Sequence, residues 1–471
     1  MALEHVKIFN TLSGQKEDLI RPRGRALKLF VCGPTVYDYP HIGNARTFLN
    51  FDMFVKFLRA TDYEISYLPN ITDIDDKIIN KANEEKISWE EVSRKFERVY
   101  LHNMKTLGVD SVNIYAKATD YIPQIVAQVK TLIKKERAYL IEGDGYYFDL
   151  ATFPEYGKLS RRTTEQAEDA VSRIDSSDKK RNRGDFALWK FSETNQPGWK
   201  TELGYGRPGW HIEDTSITEY FFGPQYDLHG GAQDLKFPHH EAEIAQQESA
   251  SGKRPFVKQW MHAGFLTVNG NKMSKSLNNF VTINDFLEKY PPELLRMVVF
   301  MHHYRVPMDY TDNLVLTAQK NLNDIAIFLA KLKKSSGKVS EIPTGEFLHD
   351  FFENLKDDFN TPKALASIFE FIGKIQPELW NLSWKARQKA AESIEGALNV
   401  VGIRLPKQKI SLKAKLIAMK RERHRKNKQF IQSDALRKKL DELGYLIEDT
   451  PKGPLLFKPI YATRTPKNSA K

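Results

Sequence analysis

Two separated stretches of the chain carry residue types that bind metal ions. The only cysteine, Cys32, ends an apolar run and precedes a glycine-punctuated turn. Far downstream, the segment 227–246, DLHGGAQDLKFPHHEAEIAQ, places His239 four residues before Glu243. In a helix that begins after Pro238 these two side chains share one face, because residues four apart are neighbours on a helix surface. An imidazole, a carboxylate and a remote thiolate supply three ligands for a tetrahedral ion, most naturally zinc.

Each of these features also has an ordinary structural explanation. A histidine and a glutamate at helical spacing are common on the polar face of a helix. A single buried cysteine often serves as a small apolar core residue. The thiol and the helical pair therefore predict a metal site only in combination with other features of the chain.

A third stretch, NGNKMSKSLNN at residues 269–279, has the composition of a phosphate-binding loop. Its two lysines, Lys272 and Lys275, stand among asparagine and glycine residues. A loop of this kind folds over a polyphosphate, where ammonium groups stabilise the charge that develops on a departing pyrophosphate. Taken alone, the stretch fits an ordinary basic surface loop equally well.

A βαβ unit near the start of the chain is the element expected to position Cys32. Residues 27–31 alternate in strand fashion, apolar residues recur at helical spacing over 48–58, and YEISYLPN at 63–70 alternates again. Ligands of such sheets lie beyond the carboxyl ends of the strands, where Cys32 stands. We expect the helix to begin within HIGNART, so that its free N–H groups face a phosphate and Gly43 permits close approach.

The remaining pattern predicts several successive parts. Leu322, Ile325, Leu329 and Leu332 form one apolar stripe at helical spacing, which predicts a helical bundle. The predicted parts are a sheet domain over 1–311 with an insertion at about 112–205, a helical bundle over 312–405, a small basic domain over 406–455, and a basic flexible tail over 456–471.

The net charge of +11 lies almost entirely near the C-terminus. Residues 411–471 contain 16 Lys and Arg against 6 Asp and Glu, which leaves +1 for the rest of the chain. The stretch KRERHRKNKQF, residues 420–430, is either the solvated face of a helix or, with its aromatic Phe430, a contact for nucleic acid.

Composition also indicates the cellular compartment in which the chain is expected. A single cysteine excludes an internal disulfide framework, and the first 15 residues lack a basic region followed by a long apolar run. No stretch approaches the roughly 20 apolar residues that a membrane span needs. We expect a cytoplasmic chain with no membrane partner.

Taken together, the motifs resemble the class I aminoacyl-tRNA synthetases. PHIGN followed by KMSKS is similar to their paired signature. Further segments resemble the cysteinyl-tRNA synthetase family in order, over about residues 7–455: VCGPTVYDYPHIGNART, NITDIDDKI, KRNRGDFALWK, GRPGWHIED, DLHGGAQDLKFPHHEAEIAQ and DDFNTP. The resemblance implies an α/β fold with a Rossmann-like parallel-sheet catalytic domain that carries an insertion, followed by a helical bundle and a small C-terminal anticodon-binding domain.

The resemblance implies one zinc ion that recognises a substrate thiolate directly. Its ligands would be Cys32, Asp214, His239 and Glu243. The family normally has a second cysteine where this chain has Asp214. A carboxylate oxygen is itself a legitimate zinc ligand, so the set remains chemically sensible but is harder and less rich in thiolate. The alternative is that Asp214 only caps or hydrogen-bonds a neighbour, and that the metal is weakened or lost.

The resemblance also implies contacts for the other substrates. The residues implied to contact ATP are His41, Gly43, Asn44, Gly230, Gly231, Asp234, Lys272 and Lys275. Three of them, His41, Lys272 and Lys275, are implied to be catalytic. The contacts for cysteine would be Thr72 and Trp210, and those for the tRNA anticodon Phe430, Asp434 and Arg437. Asn44 departs from the second histidine of the family signature. Its amide can donate a hydrogen bond to a phosphate but cannot become cationic.

The implied reaction is the activation of L-cysteine by ATP with Mg²⁺ and transfer to tRNA(Cys), by a chain expected to be a monomer. One alternative is a ligase that joins cysteine to an amino sugar by the same adenylate chemistry. The basic C-terminal module argues against it. Another alternative is an inactive RNA-binding paralogue, against which the intact KMSKS and His41 argue. Cysteine-dependent pyrophosphate exchange separates enzyme from binder, and tRNA charging separates synthetase from sugar ligase.

Overall fold

The computed structural model describes residues 5–162, 177–274, 277, 279–406 and 409–460. The chain divides into two compact units. The first consists mainly of residues up to Glu288, together with Tyr304–Met308 and Lys356–Phe359. The second consists of Lys289–His303, Asp309–Leu355 and the residues from Asn360 onward.

The first unit contains both strands and helices. Its strands are β1 (Lys7–Asn10), β2 (Gln15–Asp18), β3 (Leu27–Val31), β4 (Ile65–Ile71), β5 (Ala116–Lys117), β6 (Ala138–Ile141), β7 (Gly145–Phe148), β8 (Phe186–Phe191), β9 (Trp199–Thr201), β10 (Gly204–Pro208), β11 (Tyr226–Ala232), β12 (Val257–Ala263), β13 (Leu266–Val268) and β14 (Asn271–Lys272). The helices that begin in it are α1 (Ile42–Ala60), α2 (Asp76–Glu85), α3 (Trp89–Thr106), α4 (Ile122–Lys134), α5 (Ile212–Phe222), α6 (His239–Ser251) and α7 (Ile283–Lys289).

A five-stranded parallel sheet in the order β12-β11-β3-β4-β5 forms the centre of this unit. Strand β3 covers the predicted residues 27–31 and is buried almost throughout, as expected for a strand covered on both faces. Val31 pairs with Gly230 of β11 and with Pro69 of β4. The carboxyl ends of these strands therefore meet at one edge, where Cys32 follows β3. This sheet confirms the predicted α/β fold class.

A second five-stranded sheet, antiparallel and in the order β6-β7-β8-β10-β9, lies in the chain between β5 and α5. Its strands extend from Ala138 to Pro208, so they overlap the insertion predicted at about 112–205. Buried Asp185 directly precedes β8 and connects it to β6 and to the residues after β7. The Asp185 carboxylate accepts hydrogen bonds from the backbone N–H of Leu150 at 2.9 Å and from the Tyr139 hydroxyl at 2.7 Å.

The rest of the chain is mostly helical. It contains β15 (Met308–Tyr310), α8 (Pro292–Phe300), α9 (Asp312–Leu332), α10 (Thr344–Lys356), α11 (Thr361–Ile375), α12 (Trp384–Val400), α13 (Leu412–Lys426), α14 (Phe430–Glu442), β16 (Leu446–Thr450) and β17 (Gly453–Phe457). The predicted apolar stripe on α9 is buried at all four positions. Within the described ranges, no helix is both long and apolar enough to cross a membrane.

The basic C-terminal segment folds around a small core of its own. Helices α13 and α14 pack with the antiparallel hairpin β16–β17 around Ala414, Ala418, Leu440, Tyr445 and Ile447. Buried Arg421 joins helix and hairpin through two hydrogen bonds to the carboxylate of Asp449, at 2.7 and 2.9 Å. The tail predicted over 456–471 begins within β17, and residues 461–471 lie outside the described part of the chain.

Helix α1 is anchored by a buried cation. Arg46 donates hydrogen bonds to the backbone carbonyls of Gly264 at 2.8 Å and Tyr304 at 3.3 Å, and it also contacts the carbonyls of Phe265 and Val306. Burial lowers the pKa of Arg46 to about 10, which leaves the guanidinium charged at neutral pH. One side chain thus joins two segments that also contact each other directly, since the backbone N–H of Gly264 donates to the Tyr304 carbonyl at 2.7 Å.

Replacing this cation should destabilise the first unit. Arg46→Met removes a buried cation and takes the guanidinium donor from the carbonyls of Gly264 and Val306, so we expect the free energy of unfolding to fall by about 3 kcal/mol. Chemical denaturation followed by circular dichroism measures the change. Arg59→Met, at an exposed position of the same helix, is the matched control and should cost less than about 1 kcal/mol. Equal losses in the two variants would show that the buried carbonyl contacts are unimportant.

Candidate functional site

The thiol of Cys32 lies in a buried cluster of imidazoles and carboxylates. Its Sγ is 3.1 Å from His240 Nε2, 3.3 Å from His229 Nε2 and 3.8 Å from Glu243 Oε1. His229 belongs to β11, whereas His240 and Glu243 belong to α6, which begins directly after Pro238 as the sequence predicts. The sheet edge and the start of α6 thus deliver these groups to one point.

The other two predicted ligands join the same cluster. Asp214, on the first turn of α5, places Oδ2 3.0 Å from Nε2 of His239. The same Nε2 lies 3.0 Å from Oε1 of Glu243. Cys32, Asp214, His239 and Glu243 each offer one donor atom, and these four atoms all lie within 4.8 Å of one another. The structure therefore brings together the four side chains that the resemblance implied.

A second set of four donors overlaps the first. Cys32, His229, His240 and Glu243 also have donor atoms within 4.8 Å of one another. Sequence reasoning missed the two additional histidines. His240 adjoins His239 in the printed sequence and was therefore an available signal. His229 lies on a strand, and no local spacing relates it to Cys32.

Burial dominates the electrostatics of the cluster. It raises the pKa of the Cys32 thiol well above its usual value, and the carboxylates of Glu243 and Asp214 raise it further. Burial also lowers the pKa of His229 and His240 well below the usual range of an imidazole. For His239, burial lowers the pKa, but Glu243 and Asp214 outweigh it and raise the pKa to about 9. His239 therefore offsets carboxylate charge when no metal is bound.

The donor set fits a zinc ion. Among the described residues, Oε2 of the buried Glu243 has no hydrogen-bond partner. Metal binding requires Cys32 to lose its proton, and a divalent cation offsets the repulsion between the resulting thiolate and the two carboxylates confined within 4.8 Å. Sulfur, imidazole nitrogen and carboxylate oxygen are the ligand types that zinc takes in proteins.

The imidazoles are held by further contacts. His229 Nδ1 lies 2.7 Å from the Tyr226 hydroxyl, and His239 Nδ1 lies 2.8 Å from His211 Nδ1. The Trp210 ring stacks on that of His239, with 4.3 Å between ring centroids. Such partners fix the orientation of ligand side chains.

Trp210 also lines a cavity of about 410 Å³ that reaches from Cys32 to the start of α1. His41, Asn44 and Asp234 line the same cavity. The other residue predicted to bind cysteine, Thr72, lies outside this lining. The Thr72 hydroxyl donates to Glu213 Oε2 at 2.8 Å, and its backbone bonds the turn after Cys32, so it positions that turn.

His41 and Asn44 form the N-terminal cap of α1. The backbone N–H of Asn44 donates to His41 Nδ1 at 3.2 Å, and the backbone N–H of His41 donates to Asn44 Oδ1 at 3.1 Å. Because Nδ1 accepts a hydrogen bond, the proton of the neutral ring belongs on Nε2. Burial lowers the pKa of His41 and so favours this neutral ring, although Asp234 opposes the shift. The His41 ring and the Asn44 amide therefore each keep an N–H donor.

The predicted glycines are required by close packing. A Cβ on Gly43 would lie 2.8 Å from His41 Nδ1. A Cβ on Gly230 would lie 2.4 Å from a ring carbon of Phe51, and one on Gly231 would lie 2.8 Å from a ring carbon of His240. Larger residues would therefore displace the rings of His41, Phe51 and His240.

The remaining predicted residues lie on the surface or outside the described part of the chain. Lys272 is exposed on β14, whereas Lys275 falls outside the described residues. Phe430, Asp434 and Arg437 are all exposed on α14. Their spacing of four and three residues puts them on one face of that helix.

The fold is that of a class I aminoacyl-tRNA synthetase. The family model described as the tRNA synthetases class I (C) catalytic domain matches residues 20–320, and the model of the DALR domain matches residues 350–405. The structure is similar to Mycobacterium tuberculosis methionyl-tRNA synthetase in complex with methionyl-adenylate, with a TM-score of 0.59 and 15% identity over 81% of this chain and 92% of that one.

Relatives with higher sequence identity indicate the family within this class. The cysteine–tRNA ligase of Carboxydothermus hydrogenoformans is 40% identical over 462 residues, covering 95% of this chain and 99% of the relative. That of Thermococcus gammatolerans is 39% identical over 472 residues, covering 95% and 98%. The chain therefore belongs to the cysteine–tRNA ligase family.

Two substitutions of Asn44 should separate its capping role from contact with a phosphate. Asn44→Ala removes the acceptor for the His41 N–H and should lower the free energy of unfolding by about 1 kcal/mol. Asn44→Asp keeps an acceptor and should preserve stability, but its negative charge should weaken ATP binding. Denaturation and calorimetric titration with ATP measure the two effects. Unchanged ATP affinity in Asn44→Asp would place the nucleotide phosphates away from this position.

Proposed function

We propose that this chain activates L-cysteine with ATP and transfers the cysteinyl group to the 3′ end of tRNA(Cys). In the first step a carboxylate oxygen of cysteine bonds to the α-phosphorus of ATP, and pyrophosphate leaves. In the second step a ribose hydroxyl of the terminal nucleotide bonds to the carbonyl carbon, and AMP leaves. The observation that carries the proposal is the buried donor cluster around Cys32, because Cys32 itself lines the same cavity as the capped start of α1.

The proposed ligands of a zinc ion are Cys32, Asp214, His239 and Glu243. Zinc bound there would supply a Lewis-acidic position for the substrate thiolate. Selection of cysteine over serine follows from this chemistry, since a hydroxyl is a poorer ligand and much harder to deprotonate. A site built around one specific polar bond can reject an analogue that lacks it by roughly 10⁴-fold.

The start of α1 is the proposed site for the phosphates of ATP, which would carry Mg²⁺. Nε2–H of His41 and the amide of Asn44 can both donate to phosphate oxygens, and the positive end of the helix dipole adds to their effect. Lys272 and Lys275 would stabilise the departing pyrophosphate. The chain supplies positioning and charge, and the reaction needs no covalent nucleophile from the protein.

The proposal also gives roles to several other residues inside and outside the cavity. Trp210, stacked on His239, would cover the amino acid, and Thr72 would hold the turn after Cys32. Gly230 and Gly231 permit the strand to approach adenosine, and the exposed carboxylate of Asp234 would accept a hydrogen bond from the ribose. Phe430, Asp434 and Arg437 would contact the anticodon through one face of α14.

Substitutions of the proposed metal ligands test the site. Cys32→Ala should remove the only sulfur ligand and sharply reduce both bound zinc and cysteine-dependent exchange of pyrophosphate into ATP. Asp214→Ala should also lose zinc, whereas Asp214→Cys should retain it or bind it more tightly. Elemental analysis and the exchange assay measure the outcomes, with circular dichroism as the check on folding.

Two results would contradict this assignment. Unchanged zinc content in Cys32→Ala would place the metal elsewhere. Unchanged zinc content in Asp214→Ala would show that Asp214 has a structural role and is not a ligand. Exchange that does not depend on cysteine would overturn the proposed function itself.

The exposed face of α14 should act only in the tRNA step. The variant Phe430→Ala/Arg437→Ala should raise the KM for tRNA about tenfold to hundredfold, because base stacking and a phosphate contact are lost. Cysteine-dependent exchange needs no tRNA and should remain unchanged. The control Lys439→Ala removes one cation two and a half turns from Phe430, on the opposite side of the helix. If Lys439→Ala raised the KM for tRNA equally, the helix would contribute only nonspecific positive charge and this face would have no specific contact.

A further inference from the structure

Asn70 joins two parts of the proposed metal site that are distant in the sequence. It lies at the end of β4, beside the strand that leads to Cys32, and it is 2% exposed. Its Oδ1 accepts a hydrogen bond from the backbone N–H of Gly33 at 2.6 Å. Its Nδ2 donates to Oδ1 of Asp214 at 2.6 Å and to the Thr72 hydroxyl at 3.3 Å. No motif consideration singled out this asparagine.

The network fixes which way the amide points. Gly33 N–H is a donor and needs an oxygen, whereas the carboxylate of Asp214 accepts and needs an N–H. A flipped amide would set donor against donor and oxygen against carboxylate. The turn packs directly against β4, because a Cβ on Gly33 would lie only 1.8 Å from the backbone oxygen of Asn70.

The Asn70 amide therefore gives the two oxygens of the Asp214 carboxylate different partners. Oδ1 is engaged by Asn70, and Oδ2 faces His239 Nε2 at 3.0 Å within the donor cluster. A carboxylate held in this way presents one oxygen to a metal in a fixed direction. Outer hydrogen bonds of this kind orient ligands and are commonly worth 10- to 100-fold in metal affinity.

We propose that Asn70 is a positioning residue for the metal site, which makes Asp214 a one-oxygen ligand and sets its place relative to Cys32. The inference rests on the proposed ligand set. Asn70 touches neither the metal nor a substrate in this proposal and acts on the metal site through Asp214, while its hydrogen bond to Gly33 holds the amide in place.

A thiol at position 214 provides the decisive comparison. Cysteine has a single sulfur and no second oxygen for the amide of Asn70, and sulfur is a weak acceptor. If Asn70 acts through the carboxylate, its removal matters in the protein with Asp214 and much less in the Asp214→Cys background. If Asn70 only supports the backbone at Gly33, its removal matters equally in both.

The test is a double-mutant cycle on the full chain. Zinc affinity is measured by competition with a chromophoric chelator for the unchanged protein, Asn70→Ala, Asp214→Cys and the combination. We expect Asn70→Ala to weaken zinc binding about 10- to 100-fold when Asp214 is present and less than about threefold in the Asp214→Cys background. Asn50→Ala is the matched control, because Asn50 is equally buried and donates to a backbone carbonyl at 2.9 Å. It should leave zinc affinity unchanged.

The outcomes separate the inference from the function on which it rests. Equal losses in both backgrounds, or no loss when Asp214 is present, would overturn the positioning role. If Asn70→Ala does not fold, Asn70→Ser replaces it in the same cycle, since its shorter side chain cannot reach both partners. Full zinc affinity in Asp214→Ala would instead overturn the proposed ligand set and point to Cys32, His229, His240 and Glu243.

Discussion

The confinement of ionisable groups around one thiol is the constraint on which the rest of the first unit depends. Cys32, Asp214, His239 and Glu243 are each almost fully buried, and their donor atoms lie within 4.8 Å of one another. Anionic groups this close in a low dielectric are strongly unfavourable unless a cation accompanies them. The carboxylates of Glu243 and Asp214 raise the pKa of His239, which lies between them, so a protonated imidazole offsets part of their charge. A divalent ion supplies more charge without a proton.

The parallel sheet creates this confinement. The register of β3 with β4 and β11 places Cys32, Asn70 and the glycines of β11 at one edge. The backbone there must fold closely, which explains why Gly33 and Gly231 lack side chains: a Cβ at either position would meet Asn70 or His240. The same edge is followed directly by the capped start of α1. Proximity of the donor cluster to the cavity at the start of α1 is therefore a property of the sheet rather than of any single motif.

Local pattern was enough to predict the elements that rest on local physics. The alternation at 27–31 became β3, the helix after Pro238 became α6, and the stripe on α9 is buried. Residues whose roles arise from sheet register were not predictable in this way. His229 and Asn70 reach Cys32 and Asp214 across strands, and no spacing in the sequence relates them. Arg46 is similar, because its carbonyl partners lie more than 200 residues away.

The two departures from the family signature follow one physical logic. Asn44 and Asp214 each have two polar atoms at the end of a short side chain, and in each case one atom is engaged inside the protein. Oδ1 of Asn44 accepts from the His41 backbone, which leaves the amide N–H groups for a ligand, and Oδ1 of Asp214 accepts from Asn70, which leaves Oδ2 for the donor cluster. A side chain that is anchored at one atom loses little conformational freedom when its other atom binds. In the proposed site, each departure thus offers a weaker donor or ligand atom that is already oriented.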